Sequence, residues 1–185
     1  MEKQEFNQKL FFENIDKKNA VILSALDPKL PSKEYNFRKD IKKGKLGETF
    51  IKNVLVYFGF NFIKFNDDNK YDLLMSYNGK EVKYEVKTDF LAETGNLFIE
   101  FECRGKDSGI HTSESDYYIF YFPTIKELWK IKTEKLKNII KEQTFESREY
   151  CGDDNSKTKG YLIPRNKYKN LFVVYDVNVF PPKTI

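Results

Sequence analysis

The run YEVKTDF at residues 84–90 sets Glu85 and Lys87 two positions apart in a strand-like stretch, and Asp72 precedes that pair with twelve residues between. Two carboxylates and a lysine are the groups that hydrolysis of a phosphodiester needs. Paired carboxylates can hold Mg²⁺, which prefers hard oxygen ligands and keeps several waters. The ion polarises a phosphate and makes a bound water more acidic. A lysine beside it can position the attacking water and offset charge gathering on the phosphorus centre. Val86, between Glu85 and Lys87, sends its side chain to the other face and leaves its carbonyl as a further ligand. The same residues also suit an ordinary solvated face, because Glu81, Lys83, Glu85 and Lys87 alternate with Val82, Tyr84 and Val86.

The elements around these residues decide whether they meet. YDLLMSY and EVKYEVKT flank NGK, which predicts a hairpin turning at Asn78–Gly79. A hairpin reverses direction, so Asp72, early in its first strand, lies opposite Glu85 and Lys87, late in its second. Period two puts Glu85 and Lys87 on one face. Upstream, GKLGETFIKNVLVYFG (44–59) has Leu46, Phe50, Ile51, Val54, Leu55 and Phe58 at helical spacing, with Gly59 as a stop. FNFIKF (60–65), NLFIEFEC (96–103), YYIFYF (117–122) and ELWKI (127–131) read as strands, YYIFYF as the most buried. Thr133 is a plausible N-cap for EKLKNIIKEQ, whose Leu136, Ile139 and Ile140 form one stripe. Residues 144–160, rich in Asp, Asn, Ser, Lys and Gly, read as a mobile loop, and GYLIP and LFVVYDV as late strands. In residues 1–43, EFNQKLFFENI suggests a short amphipathic helix and AVILSAL a buried segment, before Pro28 and Pro31 interrupt the pattern. The order predicts an α/β fold, a mixed sheet with helices against it.

Asp72, the twelve-residue gap and Glu85-Val86-Lys87 resemble the signature of the PD-(D/E)XK nuclease superfamily, the restriction-endonuclease-like fold. Tyr71 takes the place of the proline in that signature. The resemblance runs from Gly44 to Phe122 and includes KLGETF, where Glu48 matches the helical acidic residue of many members, notably Holliday-junction resolvases. It implies a restriction-endonuclease-like core, a central mixed sheet flanked by helices, spanning 44–185, with residues 1–43 as an extension packed on it. It also implies catalysis by Asp72, Glu85, Lys87 and Glu48, and dependence on Mg²⁺, with Mn²⁺ able to substitute. The ligands would be Asp72, Glu85, Glu48 and the Val86 carbonyl. The substrate would be DNA, cut by an endonuclease of phage, repair, recombination or restriction type, commonly a homodimer because one site cuts one strand. The rival reading is an inactive nucleic-acid-binding module on the same fold, whose mark would be loss of an acidic ligand. Alanine at Glu85 or Lys87 is then expected to end cleavage with little loss of stability, since exposed charges contribute little to folding.

Other residues offer weaker signals. The basic stretch FRKDIKKGK (37–45), with Lys42, Lys43 and Lys45, suits backbone contact with DNA or a solvated linker. In RGKDSG, Arg104, Lys106 and Ser108 could hold a phosphate, or form a basic turn bordering the same concave surface as the 37–45 stretch. Glu100 and Glu102 share a strand face and would extend the acidic site if that strand neighboured Glu85; otherwise they are solvated. His111 is a candidate base or an idle loop residue, and the aromatics of 117–122 read as core.

Totals set the frame. The chain has 185 residues, 40% of them hydrophobic with 17 Phe and 12 Tyr, enough for one domain with a real core. A net charge of +4 permits a nucleic-acid partner without demanding one. Cys103, Cys151 and the sole histidine have no zinc-type spacing, and free thiols point to a reducing cytoplasm. The charged start MEKQEFNQKLFF predicts no export signal, and no apolar run approaches the ~20 residues of a membrane span.

Overall fold

The computed structural model describes residues 37–151 and 157–177. Helix α1 (Phe37–Tyr57) leads into β1 (Asn61–Phe65), β2 (Leu73–Tyr77) and β3 (Lys80–Thr88). A short 3₁₀ turn (Ala92–Thr94) precedes β4 (Asn96–Cys103) and β5 (Lys106–Asp107); then come β6 (Tyr117–Phe122), β7 (Glu127–Lys132) and helix α2 (Thr133–Glu142). The chain continues through β8 (Glu146–Cys151), β9 (Lys157–Pro164), a 3₁₀ segment (Arg165–Leu171) and β10 (Val173–Asp176). The central sheet has six strands in the order β1-β2-β3-β6-β7-β10, and a second sheet has four in the order β5-β4-β9-β8. All pairings are antiparallel except β3 with β6, so the central sheet is mixed and the fold is α/β.

Period two in the central strands feeds two cores. One face of the sheet packs Leu73, Met75, Tyr84, Val86, Ile119 and Tyr121 against Phe50, Ile51, Val54 and Leu55 of α1. The other sends Tyr118, Phe120, Phe122, Trp129 and Ile131 against Leu97, Ile99 and Ile163 of the second sheet and Leu136 and Ile139 of α2. Strand β6 is buried over nearly its whole length because it supplies both cores. Arg165 stitches these layers: it is buried, its Nη2 donates to the Ala92 carbonyl at 3.1 Å, and its guanidinium lies 4.5 Å from the Phe122 ring centroid.

Several boundaries differ from the sequence reading. Helix α1 is continuous from Phe37, so the basic stretch 37–45 is its first part rather than a linker. Thr133 is the first residue of α2, not its cap; its hydroxyl is buried 2.8 Å from that of Ser115, and Lys132 takes the cap position. Residues 146–151 form a strand where a mobile loop was expected over 144–160, and they pair with 157–164, a strand that contains the expected GYLIP. β8 is an edge strand, mostly exposed where its side chains are described, so its composition is polar and charged and leaves no apolar alternation to read. The segments expected in residues 1–36 lie outside the described residues. Among the described residues no helix is long and apolar enough to cross a membrane.

Candidate active site

The β2–β3 hairpin turns through Asn78 and Gly79, at φ 49° and 74°, the left-handed pair that a two-residue turn requires. That turn sets the register: Leu73 pairs with Tyr84, and the Asp72 amide donates to the Tyr84 carbonyl at 2.9 Å. The ladder stops there. Beyond it the Asp72 side chain takes over, its Oδ2 accepting from the Val86 amide at 2.7 Å. Asp72 is thereby held against the middle of the Glu85-Val86-Lys87 run. In an extended strand the N–H and C=O of one residue point to the same edge, so the Val86 carbonyl faces this edge too.

Glu85 does not lie on a solvated face. It is 7% exposed, flanked on β6 by Tyr118, its register partner. Lys87 Nζ sits 2.7 Å from Glu85 Oε1, and the lysine keeps 37% of its side chain exposed. Burial pushes the Glu85 carboxyl upward in pKa, the Lys87 charge opposes that push, and the Asp72 charge adds to it. For Lys87, burial acts to lower the pKa, but the Glu85 and Asp72 charges outweigh it and the ammonium stays protonated well above neutrality. The result is a cation held on Glu85 in the field of Asp72.

Helix α1 brings in a third carboxylate through a close approach. A Cβ at Gly47 would stand 1.8 Å from Thr88 Oγ1, so the glycine lets the helix settle on the end of β3 with Thr88 as it stands. The next residue, Glu48, is consequently drawn under the sheet edge with 17% of its side chain exposed. Its pKa is raised by burial and by the Asp72 charge, and lowered by Lys45 and Lys87, which places it in the field of the same cluster. Lys45 Nζ lies 2.9 Å from Glu48 Oε2 and 4.7 Å from the Phe65 ring centroid, so this lysine is engaged with the site's own carboxylate. Lys42 and Lys43 lie in α1, but their side chains fall outside the described residues.

The remaining candidates scatter. Arg104 and Gly105 form the β4–β5 turn at φ 53° and 75°. Among the described residues, Arg104 lines a groove with Glu102, Gly105, Glu149, Lys157 and Lys159, from the second sheet and its β4–β5 turn. Lys106, on β5, is exposed. The Ser108 hydroxyl donates to Glu100 Oε1. A register shift between Glu100 and Glu102 pairs them with Gly160 and Lys159, neighbours that point to opposite faces, so the two glutamates part. Glu102 joins Lys159 at 2.7 Å, while Glu100 turns to Ser108 and contributes its charge to the surroundings of Glu85. β4 is not a neighbour of β3 but belongs to the sheet stacked over it. His111 Nδ1 lies 3.3 Å from Asp107, away from the cluster.

The donors fit a divalent ion that keeps most of its water. Among the described residues no three acidic, histidine or cysteine side chains make a ready cage. Asp72, on the Val86 amide, and Glu85, on Lys87, offer two hard-oxygen donors along the same short run, the number that Mg²⁺ sites commonly use. The chain matches no family model and no curated protein. Among solved structures it is similar to a bacterial homing endonuclease, I-Ssp6803I, at 17% identity and a TM-score of 0.41, over 50% of this chain and 68% of that one.

Proposed function

We propose that the protein is a metal-dependent nuclease that hydrolyses DNA phosphodiester bonds, built on the PD-(D/E)XK plan. The carrying observation is the buried Glu85 held 2.7 Å from Lys87, with Asp72 fixed on the amide between them. A buried carboxylate is an expensive way to stay soluble, and perturbed carboxylates in such a setting mark working sites. In this reading Asp72 and Glu85 hold the ion, with the Val86 carbonyl beside them and Glu48 reaching in from α1. When bound, Mg²⁺ or Mn²⁺ supplies Lewis acidity toward the phosphate and acidifies a water. Beside Glu85 and Asp72 the Lys87 side chain is an ammonium, and its N–H groups orient the attacking water and offset charge on the phosphoryl oxygens. Glu48 orders water around the site and is restrained by Lys45.

The test is direct. Linear, circular, single-stranded and branched DNA are incubated with the protein in Mg²⁺, in Mn²⁺ and in chelator. Cleavage in either metal and none in chelator is the expected result. Binding without cleavage of any substrate would instead support the inactive nucleic-acid-binding module.

A further inference from the structure

Tyr118 was readable only as core, and its ring is core: it is 1% exposed and stacks on Phe120 at 5.9 Å between centroids. Its hydroxyl is the anomaly. Tyr118 is the register partner of Glu85 in the one parallel ladder of the central sheet, so the two side chains leave the same face. The Oη is fully buried and has no hydrogen bond of good geometry. Ser113, the polar side chain beside it, is already committed: its Oγ donates to the Lys70 carbonyl and shares a 2.9 Å contact with Ser115. The charged groups around Oη are Glu85, Lys87 and Asp72. Buried hydroxyls are nearly always bonded, so an orphan one facing a carboxylate calls for a partner present in another state.

We propose that Tyr118 is a positioning residue for Glu85: when the carboxylate leaves Lys87 to hold a divalent cation, the Tyr118 hydroxyl donates to it and fixes its orientation. The exchange also frees the Lys87 ammonium for the phosphate. This inference rests on the metal-dependent reading above. Metal-binding carboxylates and imidazoles are generally steadied by a hydrogen bond from behind, and losing such a bond weakens metal affinity by roughly 10- to 100-fold.

Tyr118→Phe removes the hydroxyl and keeps the ring. Two measurements are taken on the whole protein: urea denaturation in chelator, and Mn²⁺ binding by calorimetry. The expected pair is unchanged or higher stability in chelator, because an unsatisfied buried hydroxyl is gone, together with Mn²⁺ affinity weakened about tenfold. A hydroxyl that merely holds the fold gives lower stability in chelator, and that result overturns the proposal whatever the affinity does. An unchanged Mn²⁺ affinity in the variant overturns it as well, and leaves the nuclease reading standing. If the parent protein takes up no Mn²⁺, both readings fall together.

Discussion

Strand β3 carries one row of charges and two environments. Glu81, Lys83, Glu85 and Lys87 share a face, yet the strand runs from exposed at the Lys80 end to buried around Glu85. The turn half pairs with β2 alone, while β6 joins from Tyr84 onward and brings the second sheet and α2 with it. The difference lies in the partners rather than the lysines: Lys83 and Lys87 keep 36% and 37% of their side chains exposed, but Lys83 reaches only the half-exposed Glu114, at 3.8 Å. Four residues on, Lys87 is locked to a buried glutamate at 2.7 Å. Alternation chooses the face of a charge; coverage by the next layer decides whether that charge is solvated or held ready.

Breaking the held half should have the largest consequence. Asp72→Ala and Glu85→Ala should each lower cleavage by about a thousandfold or more, equivalent to about 4 kcal/mol of transition-state stabilisation. Both should also abolish Mn²⁺ uptake in calorimetry. Lys87→Ala should keep the uptake and lose the turnover. Equal losses for alanine at 83 and at 87 would erase the distinction between the two halves.

Stability should separate the halves next, and here the buried Glu85 corrects the expectation that alanine at these positions costs little. Removing the Lys87 ammonium leaves the Glu85 charge buried without its partner. Discounted for the lysine's partial exposure, the loss should be about 1–3 kcal/mol at neutral pH. The sign follows from linkage. Burial already holds the folded Glu85 pKa above its unfolded value, and losing the cation raises it further. The folded state then binds more protons than the unfolded one, so stability falls as pH rises from the unfolded value, near 4.3, through the folded one. Urea midpoints at pH 4 and pH 8 should therefore converge with the parent's at the acid end and separate at the alkaline end. Adding Glu85→Gln to Lys87→Ala should recover most of the loss, because the orphaned charge is gone.

A comparable cost should follow from spoiling the approach that delivers Glu48. Gly47→Ala puts a methyl group 1.8 Å from Thr88 Oγ1, so the Thr88 side chain must rotate or the helix must shift, at about 1–3 kcal/mol. Thr88 Oγ1 is buried without a partner, so removing it loses no hydrogen bond. Gly47→Ala with Thr88→Ala should regain part of the stability in thermal melts; no recovery would mean that the contact is not where the helix is limited.

What could be read beforehand follows the same physics. The hairpin was legible because Asn78–Gly79 dictates a two-residue turn, and that turn fixes Asp72 against Glu85-Val86-Lys87. The apolar stripe of α1 and the all-apolar β6 were legible because each buries what its period exposes. Partition into two sheets was not, since β4 looks like any alternating strand until its partners are known. The parting of Glu100 from Glu102 depends on one extra residue in the ladder, which leaves no mark in composition. Tyr118 was hidden by its own ring, which satisfies every criterion for core while its hydroxyl faces Glu85.

The smallest expected effect is the control on which the comparison turns. Lys83 has the same side chain as Lys87 and leaves the same face of the same strand. Its ammonium lies 5.1 Å from the Tyr71 ring centroid and loosely near Glu114, which Lys70 already holds at 2.6 Å. Its backbone amide is anchored separately by Asp116 Oδ2 at 2.8 Å, a bond that alanine preserves. Lys83→Ala thus removes only an exposed charge with a partner already satisfied elsewhere, and should shift stability by no more than about 0.5 kcal/mol. Cleavage should stay within about twofold of the parent, and Mn²⁺ affinity should not move, because a charge in solvent is screened from the ion's ligands. A larger loss of cleavage at unchanged stability would show that the working surface extends down the strand to the turn, and would move Lys83 from the solvated half into the site.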